Sequence, residues 1–175
     1  MDPLRLHFLG EIRVDLGGEE LGNQLPGKAL ALLIYLAVTG APQTRGTLAG
    51  LFWSDFPEHR ARGNLRDTLA LLRRTPLAPY LLIERRAIAL NPDAAYWLDT
   101  AEFQHAINKT ADPAALQTAL ALYQGEFLAG FSVPKAALFE EWTAVQRQNK
   151  HHSAVSAVER HGDPYLNDGS YEPGN

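Results

Sequence analysis

The sequence predicts an α+β fold that is mostly helical and organised in two parts. Apolar residues alternate at the start of the chain and again around residues 80–90, which is strand periodicity. Between those stretches, and throughout the chain beyond residue 98, apolar residues recur at helical spacing. The first part therefore reads as a small sheet, three helices and a β-hairpin, and the second as helices alone.

Leu4, Leu6 and Phe8 alternate with Arg5 and His7, and Ile12, Val14 and Leu16 alternate with Arg13 and Asp15. Gly17–Gly18 supplies a turn before a short third strand near Glu20–Leu21, so the start is a small antiparallel sheet. His7 reads as a solvent-facing strand residue, because no second metal-type residue sits beside it. Pro26 opens a first long helix over residues 27–39. Leu30, Leu33, Ile34, Ala37 and Val38 make it apolar enough to be central in the core, and Gly40 stops it.

Thr44 can cap the next helix, which has an apolar stripe of Leu48, Leu51 and Phe52. Trp53 ends that run, and Ser54, Asp55 and Pro57 make a turn. Pro57 or Glu58 suits the first turn of the following helix. Ala61, Leu65, Thr68, Leu69 and Leu72 define its buried face. The opposite face carries His59, Gly63, Arg66, Asp67, Ala70 and Arg74, with Arg62 and Arg73 on one flank and Arg60 on the other. Thr75–Pro76 terminates this helix, and Pro79 keeps the linker extended. Tyr80, Leu81, Leu82 and Ile83 then read as a strand, paired with Ala87, Ile88, Ala89 and Leu90. Glu84, Arg85 and Arg86 form the tip.

The charge distribution points to a polyanion. Residues 58–86 hold seven arginines against three acids, although the whole chain has a net charge of −4. Arginine at this density suits phosphates and guanine edges, because its planar fork donates two hydrogen bonds at once. Gly63 and Ala70 on the outer face would let the helix sit deep in a groove. A solvated basic helix face explains the same pattern, and a solvated hairpin tip explains Arg85 and Arg86. Residues 1–97 carry eleven basic and ten acidic side chains, and residues 98–175 carry five and ten. An acidic half tethered to one with a local basic patch fits a nucleic-acid module joined to a protein-contacting one.

Asn91–Pro92–Asp93 breaks the pattern, and Tyr96–Trp97–Leu98 makes a short apolar bridge at which a domain boundary is expected, between residues 1–96 and 97–175. Asp99 or Thr100 should cap a helix from Ala101 to about Asn108, with Phe103 and Ile107 inward. Asp112–Pro113 starts another, with Leu116, Ala119, Leu120 and Tyr123 on one face. Residues 125–134 are a loop. Residues 136 to about 160 read as a long helix whose apolar residues are Leu138, Phe139, Trp142, Val145, Val155 and Val158. His151 and His152 are adjacent, so a helix turns them to different faces and they cannot share one metal. The chain has no cysteine, which excludes disulfides and thiolate metal sites. No signal peptide or membrane span is visible, so a cytoplasmic location is expected. No Ser/His/Asp spacing, phosphate loop or metal cluster indicates an enzyme or a cofactor.

The first part resembles an OmpR-type winged-helix DNA-binding domain, and more narrowly the Streptomyces antibiotic regulatory protein family of bacterial transcriptional activators. The residues that carry this are Arg45, Leu48–Ala49, Phe52–Trp53 and Asp55, followed by Ala61–Arg62, Asn64–Leu65–Arg66, Leu69 and Leu72–Arg73. WLDTAEFQHAI (97–107), ALALYQGEFLAGF (119–131) and NDGSYE (167–172) resemble the family's bacterial transcriptional activator domain, which is tetratricopeptide-like. The resemblance implies a winged helix-turn-helix followed by an all-α domain, bound to double-stranded DNA.

On that reading the helix over 58–74 enters the major groove and the 80–90 hairpin is the wing on the flanking backbone. Arg62, Asn64 and Arg66 would read bases, and Arg60, Arg73, Arg74, Arg85 and Arg86 would meet phosphates. Arg45 and Asp67 complete the expected interface. The helical half would contact RNA polymerase, a second protomer or the rest of a longer protein. Gly63 and Asp67 stand where the family more often has longer polar residues. His161–Gly162–Asp163–Pro164 replaces an apolar helical stretch, so Pro164 should end or kink the last helix. Residues from about 161 onward are expected to be irregular or loosely packed, the cut end of a longer regulator, leaving the helical half less stable or self-associating. A non-DNA-binding scaffold with a degenerate winged helix is the alternative.

Overall fold

The computed structural model describes residues 3–109 and 112–167, those from 161 onward by backbone alone. Strands β1 (Leu4–His7), β2 (Arg13–Leu16) and β3 (Glu19–Glu20) precede helices α1 (Gly27–Thr39), α2 (Arg45–Phe52) and α3 (Glu58–Arg73). Strands β4 (Leu81–Ile83), β5 (Ile88–Leu90) and β6 (Tyr96–Leu98) follow, and then helices α4 (Asp99–Asn108), α5 (Pro113–Leu122) and α6 (Ala137–Asn167).

Helix α1 is buried almost all round, from Ala29 through Ile34 and again at Leu36 and Ala37, as its near-continuous apolar sequence requires. Gly40 closes it in the left-handed region, at φ 66°, and returns its N–H to the Leu36 carbonyl. The first sheet has the order β3-β2-β1-β6. Strands β1 and β2 are antiparallel, with Leu6 opposite Val14. Tyr96–Trp97–Leu98, expected as a bridge between domains, is instead a strand parallel to β1, with Leu98 opposite Leu6. Three residues are too few for alternation to declare a strand, and a parallel partner some ninety residues away leaves no local turn signal.

Past His7, β1 continues to bond with residues far along the chain. The Phe8 and Leu9 N–H groups both donate to Asp99 Oδ2, at 2.8 and 2.9 Å. Phe8 accepts from Leu128 N–H at 2.9 Å, and Gly10 exchanges bonds with Glu126 and Ala129 at 3.1 Å. Asp99 or Thr100 is the cap that the sequence predicts for α4. Leu98 occupies the cap position without a side-chain bond, and the Asp99 carboxylate turns to β1, where one acceptor satisfies two buried donors. Gly10 sits at φ 114°, and a Cβ built on Gly125 would lie 3.0 Å from Gly10 Cα, so the two loops cross where only glycine fits.

The helical half is joined to the helix-turn-helix by an aromatic seam. Phe139 lies 5.2 Å from Phe52, and Trp142 lies 4.9 Å from Tyr35, 5.6 Å from Phe139 and 5.9 Å from Phe127 (ring centroids). A single buried cluster runs from Leu4 to Ala157. Leu138, Val145, Val155 and Val158 on α6 stay 40–55% exposed. Helix α6 does not end at Pro164 or turn irregular at residue 161 but runs on to Asn167. Proline withdraws a single backbone donor, at a cost of about 3 kcal/mol, and a helix that keeps its other bonds can continue past it. The rest of the expectation, from residue 168 on, falls outside the described residues.

Burial raises the Asp99 carboxyl above its ordinary value, with the Leu9 and Phe8 N–H groups pulling it down. His7 and Lys150, both lowered by their own burial, lie within its field. An acid whose folded-state value is raised favours the protonated form in the fold. Its stability contribution is therefore greatest below the unfolded value and falls as pH rises through the folded one. Asp99→Asn keeps an oxygen for both donors and removes the charge. Stability measured by urea unfolding should fall from about pH 4 to about pH 7 more steeply in the native chain than in Asp99→Asn. Parallel pH profiles would mean that the carboxylate carries no such burden.

Candidate nucleic-acid interface

The local chemistry of residues 44–57 sets the pose of α3. Thr44 Oγ1 accepts the Thr47 N–H at 3.1 Å, as an N-cap does. Helix α2 buries Leu48, Ala49 and Phe52, and Trp53 closes it through a 2.9 Å bond to the Ala49 carbonyl. The turn folds back through Phe56 N–H to Trp53, and Pro57 sets up the first turn of α3. Cations bracket the turn's aromatic rings. Lys28 of α1 lies 5.1 Å over Trp53 and 5.6 Å over Phe56, and Arg60 lies 5.4 Å over Phe56. Burial lowers the Lys28 pKa, and Asp55 opposes that shift.

Ala61, Leu65, Leu69 and Leu72 bury the inner face of α3, as their spacing predicts. Its outer face bounds an open concavity of about 500 Å³, lined by Arg45, His59, Arg60, Arg62, Gly63, Asn64, Arg66 and Asp67. The concavity thus gathers seven residues of α3 with one from the start of α2. Within it the arginines differ. Arg62 Nε lies 3.3 Å from Glu58 Oε1, and its guanidinium rests beside Gly46 of α2. Arg60 is steered by its stacking on Phe56. Arg66 is exposed and makes no side-chain hydrogen bond or ion pair among the described residues. Arg74, at the far end of α3, donates to the Ala70 carbonyl at 3.2 Å.

Strands β4 and β5 form the expected hairpin, with Ile83 opposite Ile88 and the tip closed by Glu84 N–H to Ala87. Gln43 and Ile88 exchange backbone bonds at 2.8 Å, which lays the segment before α2 along β5. Tyr80, expected in the strand, belongs to a short 3₁₀ turn before it. Arg85 and Arg86 are exposed at the tip. The guanidinium of Arg45 donates to the Glu84 and Arg85 carbonyls, both at 3.1 Å, and Arg73 donates to the Ile83 carbonyl at 3.2 Å. Sequence reasoning missed these three bonds. Nothing in residue spacing marks an arginine as bound for a backbone carbonyl forty positions away.

The result is one surface with two basic features, the outer face of α3 and the hairpin tip, joined through Arg45. It can receive a chain of phosphates and present amide and guanidinium donors to base edges. Among the described residues no group of three His, Cys, Asp or Glu side chains could hold a metal, and no helix is long and apolar enough to cross a membrane.

No family model and no curated protein sequence matches the chain. Among solved structures it is similar to Mycobacterium tuberculosis EmbR, described in complex with a low affinity phosphopeptide. The TM-score is 0.66 at 17% identity, over 96% of this chain and 49% of that one. The chain spans about half the length of that protein. Likeness at this identity shows fold: a winged helix-turn-helix built on a small sheet, followed by a helical region.

Proposed function

We propose that the chain is a sequence-specific DNA-binding transcriptional regulator of the Streptomyces antibiotic regulatory protein type, acting as an activator. The observation that carries this reading is the exposed Arg66 on the open face of α3, which has no side-chain bond among the described residues, beside a hairpin tip bearing Arg85 and Arg86. Residues 1–96 serve as the DNA reader and residues 97–175 as the protein-contacting part. Helix α3 enters the major groove, with Arg66, Arg62 and Asn64 toward base edges and Asp67 beside them. Arg60 and Arg74 meet phosphates at the two ends of the helix, and the wing lies on the neighbouring backbone. The exposed valines of α6 and Leu138 suit a protein partner, whether RNA polymerase, a second copy or a further part of a longer chain.

A second reading, a scaffold that never meets DNA, draws on the near-neutral charge of residues 1–97 and on the internal bonds of Arg45, Arg62, Arg73 and Arg74, which occupy donors that DNA would otherwise receive. A salt titration of duplex binding separates the two, since phosphate contacts impose a steep slope.

Arg66→Ala should relax base preference at one or two positions and cost about 1–3 kcal/mol on the preferred site. Selection from a random duplex library followed by titration reads this. Equal loss on random DNA would make Arg66 a phosphate contact, and no loss would remove it from the interface. Arg85→Ala combined with Arg86→Ala should weaken binding to all sequences alike and flatten the salt dependence by up to about two phosphate contacts. An unchanged slope would leave the tip as a solvated turn.

Gly63→Ala tests depth of approach. A Cβ there would meet only the end of the Arg66 side chain, at 3.7 Å, so the free protein has room for it. Thermal or urea unfolding should show a gain of up to about 1 kcal/mol from helix propensity. Duplex affinity should fall at the same time, because the added methyl stands between α3 and the groove floor. Undiminished affinity would show that the glycine is not there for close approach.

A further inference from the structure

We propose that Arg45 and Arg73 are positioning residues of the wing, struts that hold its tip against the helix-turn-helix, in place of the direct DNA contacts that their charge suggests. Three consecutive carbonyls, those of Ile83, Glu84 and Arg85, accept from guanidinium groups on two different helices. The Arg45 fork takes two of them at once, and Arg73 takes the third from the end of α3. Arg45 is half-buried as it does so.

The wing needs such support. Its strands are three residues each and are held in the core by Leu81, Ile88 and Leu90, but Glu84, Arg85 and Arg86 at the tip are exposed beyond that packing. At the tip, Glu84 N–H to Ala87 is the backbone bond that closes the turn. The Gln43–Ile88 bonds anchor β5 at the strand pair next to the tip and bring Arg45, two residues along, within reach of it. Bonds to a charged donor are the stronger kind, and a bidentate fork fixes direction as well as distance. The struts therefore set how far Arg85 and Arg86 stand from α3, and with it which phosphates the wing can meet while α3 is in the groove. That last consequence rests on the DNA-reading proposal above, but the struts themselves do not.

Hydrogen exchange on the free full chain tests the struts without DNA. Arg45→Gln should speed exchange of the amides at 84 and 88 about ten-fold, and Arg45→Gln with Arg73→Gln further, with α1 amides unchanged. Arg45→Lys, which offers a point donor where arginine offers a fork, should fall between the native chain and Arg45→Gln. If α1 amides also quicken in the glutamine variants, this lysine variant decides the question. Wing exchange identical to the native chain in all variants would overturn the proposal.

Duplex binding supplies the second arm. Arg45→Gln should weaken binding in the native background and add little once Arg85→Ala and Arg86→Ala are present, because it acts through them. Full additivity with a salt slope reduced by about one would make Arg45 a phosphate contact and overturn the strut. If the native chain binds no duplex, the regulatory reading fails, while the exchange result still decides the struts.

Discussion

The backbone of residues 8–10 must satisfy its hydrogen bonds after β1 has run out of strand partners, and the rest of the molecule is arranged around the solution. A buried N–H without an acceptor costs about 1–3 kcal/mol. Two such donors, on Phe8 and Leu9, find one carboxylate at the start of α4, and the Phe8 carbonyl and both backbone groups of Gly10 find the loop at 126–129. Through those bonds, and through β6 beside β1, the first strand is shared by both halves of the chain. The aromatic seam completes the connection on the other side, where Phe139 and Trp142 of α6 pack on Phe52 and Tyr35 of α2 and α1. Helix α6 thus rests directly on the helix that precedes the proposed reading helix.

Arginine performs several physical tasks within a short span. Arg60 stacks on an aromatic ring, and Arg62 folds back on Glu58 and the small surface of Gly46. Arg45 and Arg73 bind carbonyls of the hairpin, and Arg66, Arg85 and Arg86 remain open to solvent. Net charge alone treats these seven alike. The planar fork explains the division, because it can satisfy backbone acceptors as readily as phosphates. A basic patch on this fold therefore keeps its charge but has fewer uncommitted donors than its composition suggests.

What was legible in the sequence was local. Gly40 announces the end of α1 because only a residue tolerant of positive φ fits there, and Thr44 announces α2 through its capping oxygen. The buried face of α3 follows from 3.6-residue spacing, and the hairpin at 81–90 from two short apolar runs around a charged tip. What was hidden was long-range. Strand β6 has no alternation to show, and Asp99 has the look of an N-cap while its partner lies at β1. Pro164 reads as an end or a kink, and α6 does not end there. The concavity on α3 could be foreseen as a face, whereas its rim at Arg45 depends on how α2 crosses α3 and on which acceptors the hairpin exposes.

The parallel pairing of β1 with β6 has a consequence for the order of events in the cell. β1 is made well before its remaining partners, which lie at residues 96–99 and 126–129. At a synthesis rate of about 5–20 residues per second, roughly ten seconds pass before the last of these has been made. Through that interval Leu4, Leu6 and Phe8, all fully buried in the finished protein, have only the short β1–β2 hairpin to shelter them. Closing the sheet is thus a late, non-local step of high loop-closure entropy. Until residues 96–98 have been made, the edge of β1 that pairs with β6 has no strand beside it.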